Sequence, residues 1–212
     1  MKKTKFVKID GWNDVLNACR HTVGKEPLDK EPSSKFKKDI LIAEHGPIRE
    51  LVVKWIWESI PSWVSVHWVR HKWEKYVRTQ RTDRTGVKRD KLPQDMPVNF
   101  WGSANAQNTI DTWRKRLCIG QVSPETRELA EDFKYWLKHE ANQPEWADVL
   151  VPNCVYRCGC PEIGGSCGFW EKFYRDFLYS GGEPHETGDI RARYDVYNEM
   201  FEEKMVRRHA KQ

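Results

Sequence analysis

An α+β fold is what this chain predicts, and three observations carry it. From Leu51 to Trp57, Val53, Trp55 and Trp57 alternate with Val52, Lys54 and Ile56, the period-2 pattern of a β-strand rich in branched and aromatic residues. Ser123-Pro124-Glu125-Thr126 combines a capping hydroxyl, a first-turn proline and an early acid, which together open a helix. After the cysteine-rich stretch Cys154 to Cys167, the chain returns to helical spacing in two long segments.

The elements follow in order. Phe6 to Ile9 is expected to be a short strand, and Trp12 to Thr22 a helix with Val15, Leu16 and Cys19 on one face. Residues 24–33 hold Gly24 and two prolines and form a loop. Ser34 is expected to cap a helix running to Glu44, with Phe36, Ile40 and Ala43 inward. Pro61 ends the strand that begins near Leu51. Ser62 is expected to cap a helix to about Lys72, with Val64, His67, Trp68 and His71 at helical spacing. Trp73 to Thr82 reads as extended, Thr82 to Pro97 as loop, Val98 to Trp101 as strand and Ala104 to Cys118 as helix. The helix opened by Ser123 should reach about Ala141 and bury Leu129, Phe133, Trp136 and Leu137. Phe169 to Tyr179 and Asp189 to His209 are the last helices, separated by Ser180-Gly181-Gly182-Glu183-Pro184. No internal repeat or low-complexity segment is present.

The 212 residues are 39% hydrophobic and 32% charged, with 11 Trp and 8 Phe supplying much of the apolar area. The net charge of +5 suits an anionic partner: a nucleotide, a folate tail or nucleic acid. No run is long and apolar enough for a membrane span, and Met1-Lys2-Lys3-Thr4-Lys5-Phe6 has no apolar stretch behind it. A cytoplasmic location is therefore expected. Six cysteines in a reducing compartment are metal ligands or plain thiols more often than disulfides.

Between Glu44 and Arg116 lies an ordered row of polar residues. It comprises His45, Glu50, Arg70-His71-Lys72, Thr79-Gln80-Arg81, Arg89-x-x-Leu92-Pro93, Asn105 and Arg116. Any one of these arginines would read as a solvated surface charge. The set places several guanidinium groups and imidazoles on separate short elements, where they can converge on phosphates and a planar heterocycle.

In order and spacing this row resembles the flavin-dependent thymidylate synthase family, over about His45 to Glu128. The resemblance implies a thymidylate synthase-like α+β fold bearing a cysteine-rich segment and C-terminal helices. Residues 1–152 would form the flavin- and nucleotide-binding domain, and residues 153–212 an extension. It implies that His45, Arg70, His71, Lys72, Asn105 and Asp111 contact FAD. It implies that His67, Thr79, Gln80, Arg81, Arg89 and Arg116 contact dUMP. Arg81 and Arg89 suit the phosphate and sugar. Arg116 would face the uracil carbonyls and stabilise charge as C5 becomes nucleophilic, a catalytic role. The implied reaction transfers a one-carbon unit from methylenetetrahydrofolate to C5 of dUMP, with NADPH as reductant, in a homotetramer.

Lys72, Thr79 and His67 stand where the family pattern has Arg, Ser and Gln, the spacer before Thr79 is one residue shorter, and the chain departs from the pattern in four further places. Only Thr82 to Lys88 joins two elements between which the family carries a longer insertion. Val77 replaces a glutamate, Gln107 an arginine and Asp111 an asparagine. These departures keep a second product open, a 5-hydroxymethyl nucleotide. Two non-enzymatic readings also stand: a zinc-stabilised nucleic-acid-binding protein, and an interaction protein that has lost catalysis.

Cys154, Cys158, Cys160 and Cys167 follow C-x3-C-x-C-x6-C. They are candidates for a structural zinc, against the alternative of buried thiols. Trp55, Trp57, Trp63, Trp68 and Trp73 could stack on a ligand or fill the core. Tyr194, Tyr197, Met200, Phe201 and Met205 form a stripe on the final helix, expected as a packing or partner face. The tail is expected to supply shielding or subunit contacts in place of the missing insertion, against the alternative of a helix folded onto its own subunit.

Overall fold

The structure is a computed structural model and describes residues 3–179 and 188–210. The expected break at Ser180 to Pro184 lies outside the described residues, as do Met1 and Lys2. The elements are β1 (Thr4–Asp10), α1 (Trp12–Thr22), α2 (Ser34–Ile42), β2 (Val52–Pro61), α3 (Ser62–Val69), β3 (Glu74–Val77), α4 (Thr82–Thr85), β4 (Pro97–Asn105), α5 (Ala106–Arg116), α6 (Pro124–His139), α7 (Pro144–Asp148), α8 (Asn153–Arg157), α9 (Phe169–Tyr179) and α10 (Ile190–His209). Short 3-10 turns occupy Gly46–Glu50 and Arg89–Lys91.

The four strands form one antiparallel sheet in the order β1-β2-β4-β3. Alternation along β2 buries Val53, Trp55 and Trp57 completely. The Trp55 ring meets Trp57, Trp73, Trp113 and Phe133 at centroid distances between 5.0 and 5.9 Å. Gly102 faces Trp55 across the ladder, and a Cβ there would lie 2.3 Å from the indole. The strand can carry so large a ring only because its partner residue has no side chain. Trp55, Trp57, Trp68 and Trp73 are therefore core, and of the five clustered tryptophans Trp63 alone keeps a surface on a cleft.

Several local expectations need correction. Ser33, not Ser34, caps α2, accepting from the Phe36 amide at 3.3 Å, and Ala43 is exposed while Leu41 is buried. Ser62 does not cap α3. The Ser62 and Trp63 amides donate to the carbonyls of Met96 and Gln94, so the helix start is satisfied by the loop beside it. The freed Ser62 hydroxyl accepts from Gln80 Nε2 at 3.0 Å. Within Thr82 to Pro97, expected as loop, stand α4 and a 3-10 turn. β4 runs four residues further than Trp101, because Gly102 to Asn105 continue the ladder with β2.

α10 folds back onto its own chain. Tyr194, Tyr197, Phe201 and Met205 are buried, and Met200 is partly buried against the same core as Phe133 and Trp146. Of the two expectations for the aromatic stripe, a packing face or a partner face, the packing face is the one seen. No helix among the described residues is long and apolar enough to cross a membrane.

Candidate functional site

The bulge that ends β2 and the turn after α3 set the positions of His67, Arg70, His71 and Lys72. Ser59, at φ 52°, closes the bulge, and its amide is held by Asn99 Oδ1 at 3.1 Å. The chain then turns directly into α3, whose buried Val64 and Trp68 face the core. The same pitch leaves His67, Arg70 and His71 at the rim.

Two clefts abut there and share Arg70. The first encloses about 430 Å3 and is lined by Ser62, Trp63, His67, Gln80, Arg89 and Pro93 together with Arg70. The second, about 370 Å3, is lined by His71, Lys72, Asp111, Arg114, Lys115 and Arg157 together with Arg70. His67, Gln80 and Arg89, predicted as nucleotide contacts, thus share one cleft. Arg70, His71, Lys72 and Asp111, predicted as flavin contacts, share the other.

Electrostatics distinguish the imidazoles from the cations around them. Burial, then the charges of Arg116, Lys115 and Lys75, push the His71 pKa down to about 4. The ring is neutral at pH 7, and its Nε2 accepts from Arg116 Nε at 2.8 Å. Burial, then Arg116 and Arg70, also lower the His67 pKa, and its Nδ1 lies 2.8 Å from Thr126 Oγ1. Arg116 also donates to the His67 carbonyl and sits 5.9 Å from the Trp68 ring. It lies beneath the two histidines and outside the lining of either cleft.

The remaining predicted residues stand apart from the clefts. Arg81 closes a two-pronged pair with Asp83 at 3.0 and 2.9 Å, and its amide donates to Thr79 Oγ1. Both partners are well exposed, so the pair is weak and open to exchange for another anion. Asn105 caps α5, accepting from the Asn108 amide at 2.9 Å. His45 is exposed at the cap of the 3-10 turn Gly46–Glu50. Glu50, at the end of that turn, is exposed too.

Sequence reasoning missed Ser62, Arg114, Lys115, Tyr156 and Arg157, while Trp63 is the one of the five clustered tryptophans whose ligand-stacking alternative stays open. Ser62 carries only the signal of a helix cap. Arg114 and Lys115 precede Arg116 on the same helix, and this adjacency was a usable signal. Tyr156 and Arg157 had none, because they arrive from α8, 40 residues along the chain from Arg116. Behind the second cleft Arg114 is buried, ion-paired to Glu44, and its guanidinium carbon lies 3.4 Å from the Tyr156 ring centre. Burial alone would lower the Arg114 pKa; hydrogen bonds and charge from Glu44 and Tyr194 outweigh it and raise the value.

The zinc expectation is not met. Among the described residues no group of three or more His, Cys, Asp or Glu side chains is placed to hold a metal ion. None of the six cysteines is in a disulfide. Cys154 and Cys158 sit at opposite ends of α8, with Cys158 in the left-handed region at φ 58°. Cys154, Cys160 and Cys167 line a largely apolar pocket with Cys118, from which Cys158 is absent. Burial, then the neighbouring Cys118 and Cys160, push the Cys154 thiol up to about 12.

No protein-family model and no curated protein matches the chain. Solved structures do. The flavin-dependent thymidylate synthase ThyX from Helicobacter pylori, complexed with FAD and dUMP, superposes with a TM-score of 0.56 at 12% identity, covering 69% of this chain and 99% of that one. A second structure of the same enzyme gives 0.57 at 12% identity, over 70% and 99%. A UMP/dUMP methylase, PolB from Streptomyces cacaoi, bound with 5-Br dUMP, gives 0.52 at 12% identity, over 70% and 94%. The chain therefore has the α+β fold of flavin-dependent thymidylate synthase structures.

Proposed function

We propose that the protein is a flavin-dependent, thymidylate synthase-like enzyme that transfers a one-carbon unit from methylenetetrahydrofolate to C5 of dUMP. The observation that carries this reading is the pair of abutting clefts sharing Arg70. His67, Gln80 and Arg89, assigned to the nucleotide, fall in one cleft and His71, Lys72 and Asp111, assigned to the flavin, in the adjoining one, as a reaction between the two would require.

In the first cleft Arg89 and Arg70 supply guanidinium forks for a phosphate, and Trp63 offers a ring face to a base. Gln80, held by Ser62, presents an amide for a carbonyl or ribose oxygen. The second cleft fits FAD in its donor set. Arg70 and Lys72 are exposed cations with no acid partner among the described residues, and His71 is a neutral ring. When bound, the flavin supplies the hydride that reduces the transferred carbon, with NADPH as the source of electrons. No protein nucleophile is needed, in keeping with cysteines that lie in a separate pocket.

Arg116 supports both clefts by bonding His71 and the His67 carbonyl, and its charge would favour electron build-up on a nearby uracil. Both clefts open outward, and assembly into a homo-oligomer, with a second copy covering the flavin, completes the proposal. The test is incubation of the purified protein with FAD, NADPH, methylenetetrahydrofolate and dUMP, followed by mass analysis of the nucleotide. The expected product is dTMP. Unchanged dUMP, in protein shown to be folded and saturated with FAD, would falsify the reading.

A further inference from the structure

Three cations of the second cleft come from three different parts of the chain. Lys72 follows α3, Lys115 lies in the last turn of α5, and Arg157 ends α8. All are exposed, and none is paired to an acid among the described residues. Asp111, the only carboxylate lining the cleft among the described residues, is engaged by Gln107 at 3.3 Å and Arg114 at 3.7 Å. Like charges so placed repel one another unless an anion joins them.

Arg157 is not on a loose loop. Val155 anchors α8 in the core. The carbonyls of Val155 and Tyr156, in the last turn of α8, lack helical partners. Buried Arg193 of α10 donates to both, at 2.9 and 3.2 Å. The Tyr156 ring in turn lies on Arg114, which Glu44 holds. Arg157 is thereby carried on a clamped support and faces the cleft from beyond the motif row that runs from His45 to Glu128. Three cations spread over separate walls match an extended anion with several oxygens better than a single carboxylate.

We propose that Arg157, with Lys115 and Lys72, binds a diphosphate, so that the segment after Pro152 forms part of the cofactor site and selects FAD over a flavin lacking phosphate. The identity of the bearer as FAD rests on the flavoenzyme reading; the diphosphate site does not, and ADP probes it without flavin.

Binding of FAD, riboflavin, ADP and dUMP is measured by titration calorimetry in the full-length protein and in Arg157→Ala and Lys115→Ala. Both side chains are exposed, so the variants should fold, and circular dichroism checks this. In each variant FAD and ADP should weaken about 10-fold, the loss expected for a charge-assisted contact, with riboflavin and dUMP unchanged. If ADP binds through Arg157 but no flavin binds, the inference stands and the flavoenzyme reading falls. FAD binding that is identical in Arg157→Ala overturns the inference and leaves that reading intact. Wild-type protein that binds neither ADP nor FAD overturns both.

Discussion

Removing Glu44 should unsettle the second cleft from behind, and the size of the effect can be worked from its contacts. The Glu44 carboxylate accepts from both terminal nitrogens of Arg114 and from Gln107 Nε2 at 2.7 Å. Side-chain exposure is 8% for Arg114 and 20% for Glu44. Glu44→Ala strands a buried guanidinium, a change that costs about 3–5 kcal/mol when nothing else answers the charge. Here the Tyr156 ring and the Tyr194 hydroxyl still do, so about 3 kcal/mol is expected. For a chain of this length that lowers Tm by roughly 6–12 °C. Arg114→Met removes the cation and its ring contact but leaves a partly hydrated carboxylate, and should cost about 2 kcal/mol. The double variant should be less destabilised than the sum of the two by about 1–3 kcal/mol, because the second substitution removes the stranded partner. The assay is urea unfolding followed by circular dichroism at one fixed protein concentration, since assembly would shift the midpoint. A cost below about 1 kcal/mol for Glu44→Ala, or strict additivity of the pair, would show that Arg114 gains nothing from Glu44 and that the cleft wall is held by packing alone.

Three further outcomes are expected. Arg89→Ala should weaken dUMP binding about 10- to 100-fold, the range for hydrogen bonds to a charged group, while FAD titration is unchanged; equal dUMP affinity would remove Arg89 from the nucleotide cleft. His71 has a folded pKa near 4, below the ordinary histidine value of 6.5, so in that interval the unfolded chain holds a proton the folded chain lacks. Stability should therefore fall as pH falls from about 6.5 to 4, and His71→Gln, which cannot titrate, should show a smaller fall in parallel urea melts. Buried Lys134 donates to Ala147 O and Asn198 Oδ1, both at 2.6 Å, and burial brings its pKa down to about 7. The unfolded lysine keeps its proton to higher pH, so stability should rise as pH climbs above about 7. Lys134→Met should flatten that rise, and an unchanged slope would refute the assignment.

What the sequence determined alone was local. Trp12–Thr22 and Phe169–Tyr179 appear at their expected limits, and the opening of α6 at Ser123 is the cap that was predicted. Each is set by spacing of apolar residues and by capping groups within a few positions, and such short-range signals survive in any fold that buries the marked face. The ordered row from His45 to Arg116 was also legible, because its spacing was set against a known pattern of several residues at once. Tertiary structure decided the rest. Ser62 lost its capping role because Gln94 and Met96, more than 30 residues away, satisfy the helix start. Arg116 was turned inward by His71 and the His67 carbonyl, a geometry that no helical period encodes. The cysteines, even in sequence order, were divided by α8 and its left-handed end. Arg157 lines the second cleft because tertiary contacts hold α8 there: Val155 in the core, buried Arg193 on the α8 carbonyls and Tyr156 against Arg114. Hydrogen bonds and burial between distant segments depend on where the chain returns, and that return is fixed by the packing of the whole core.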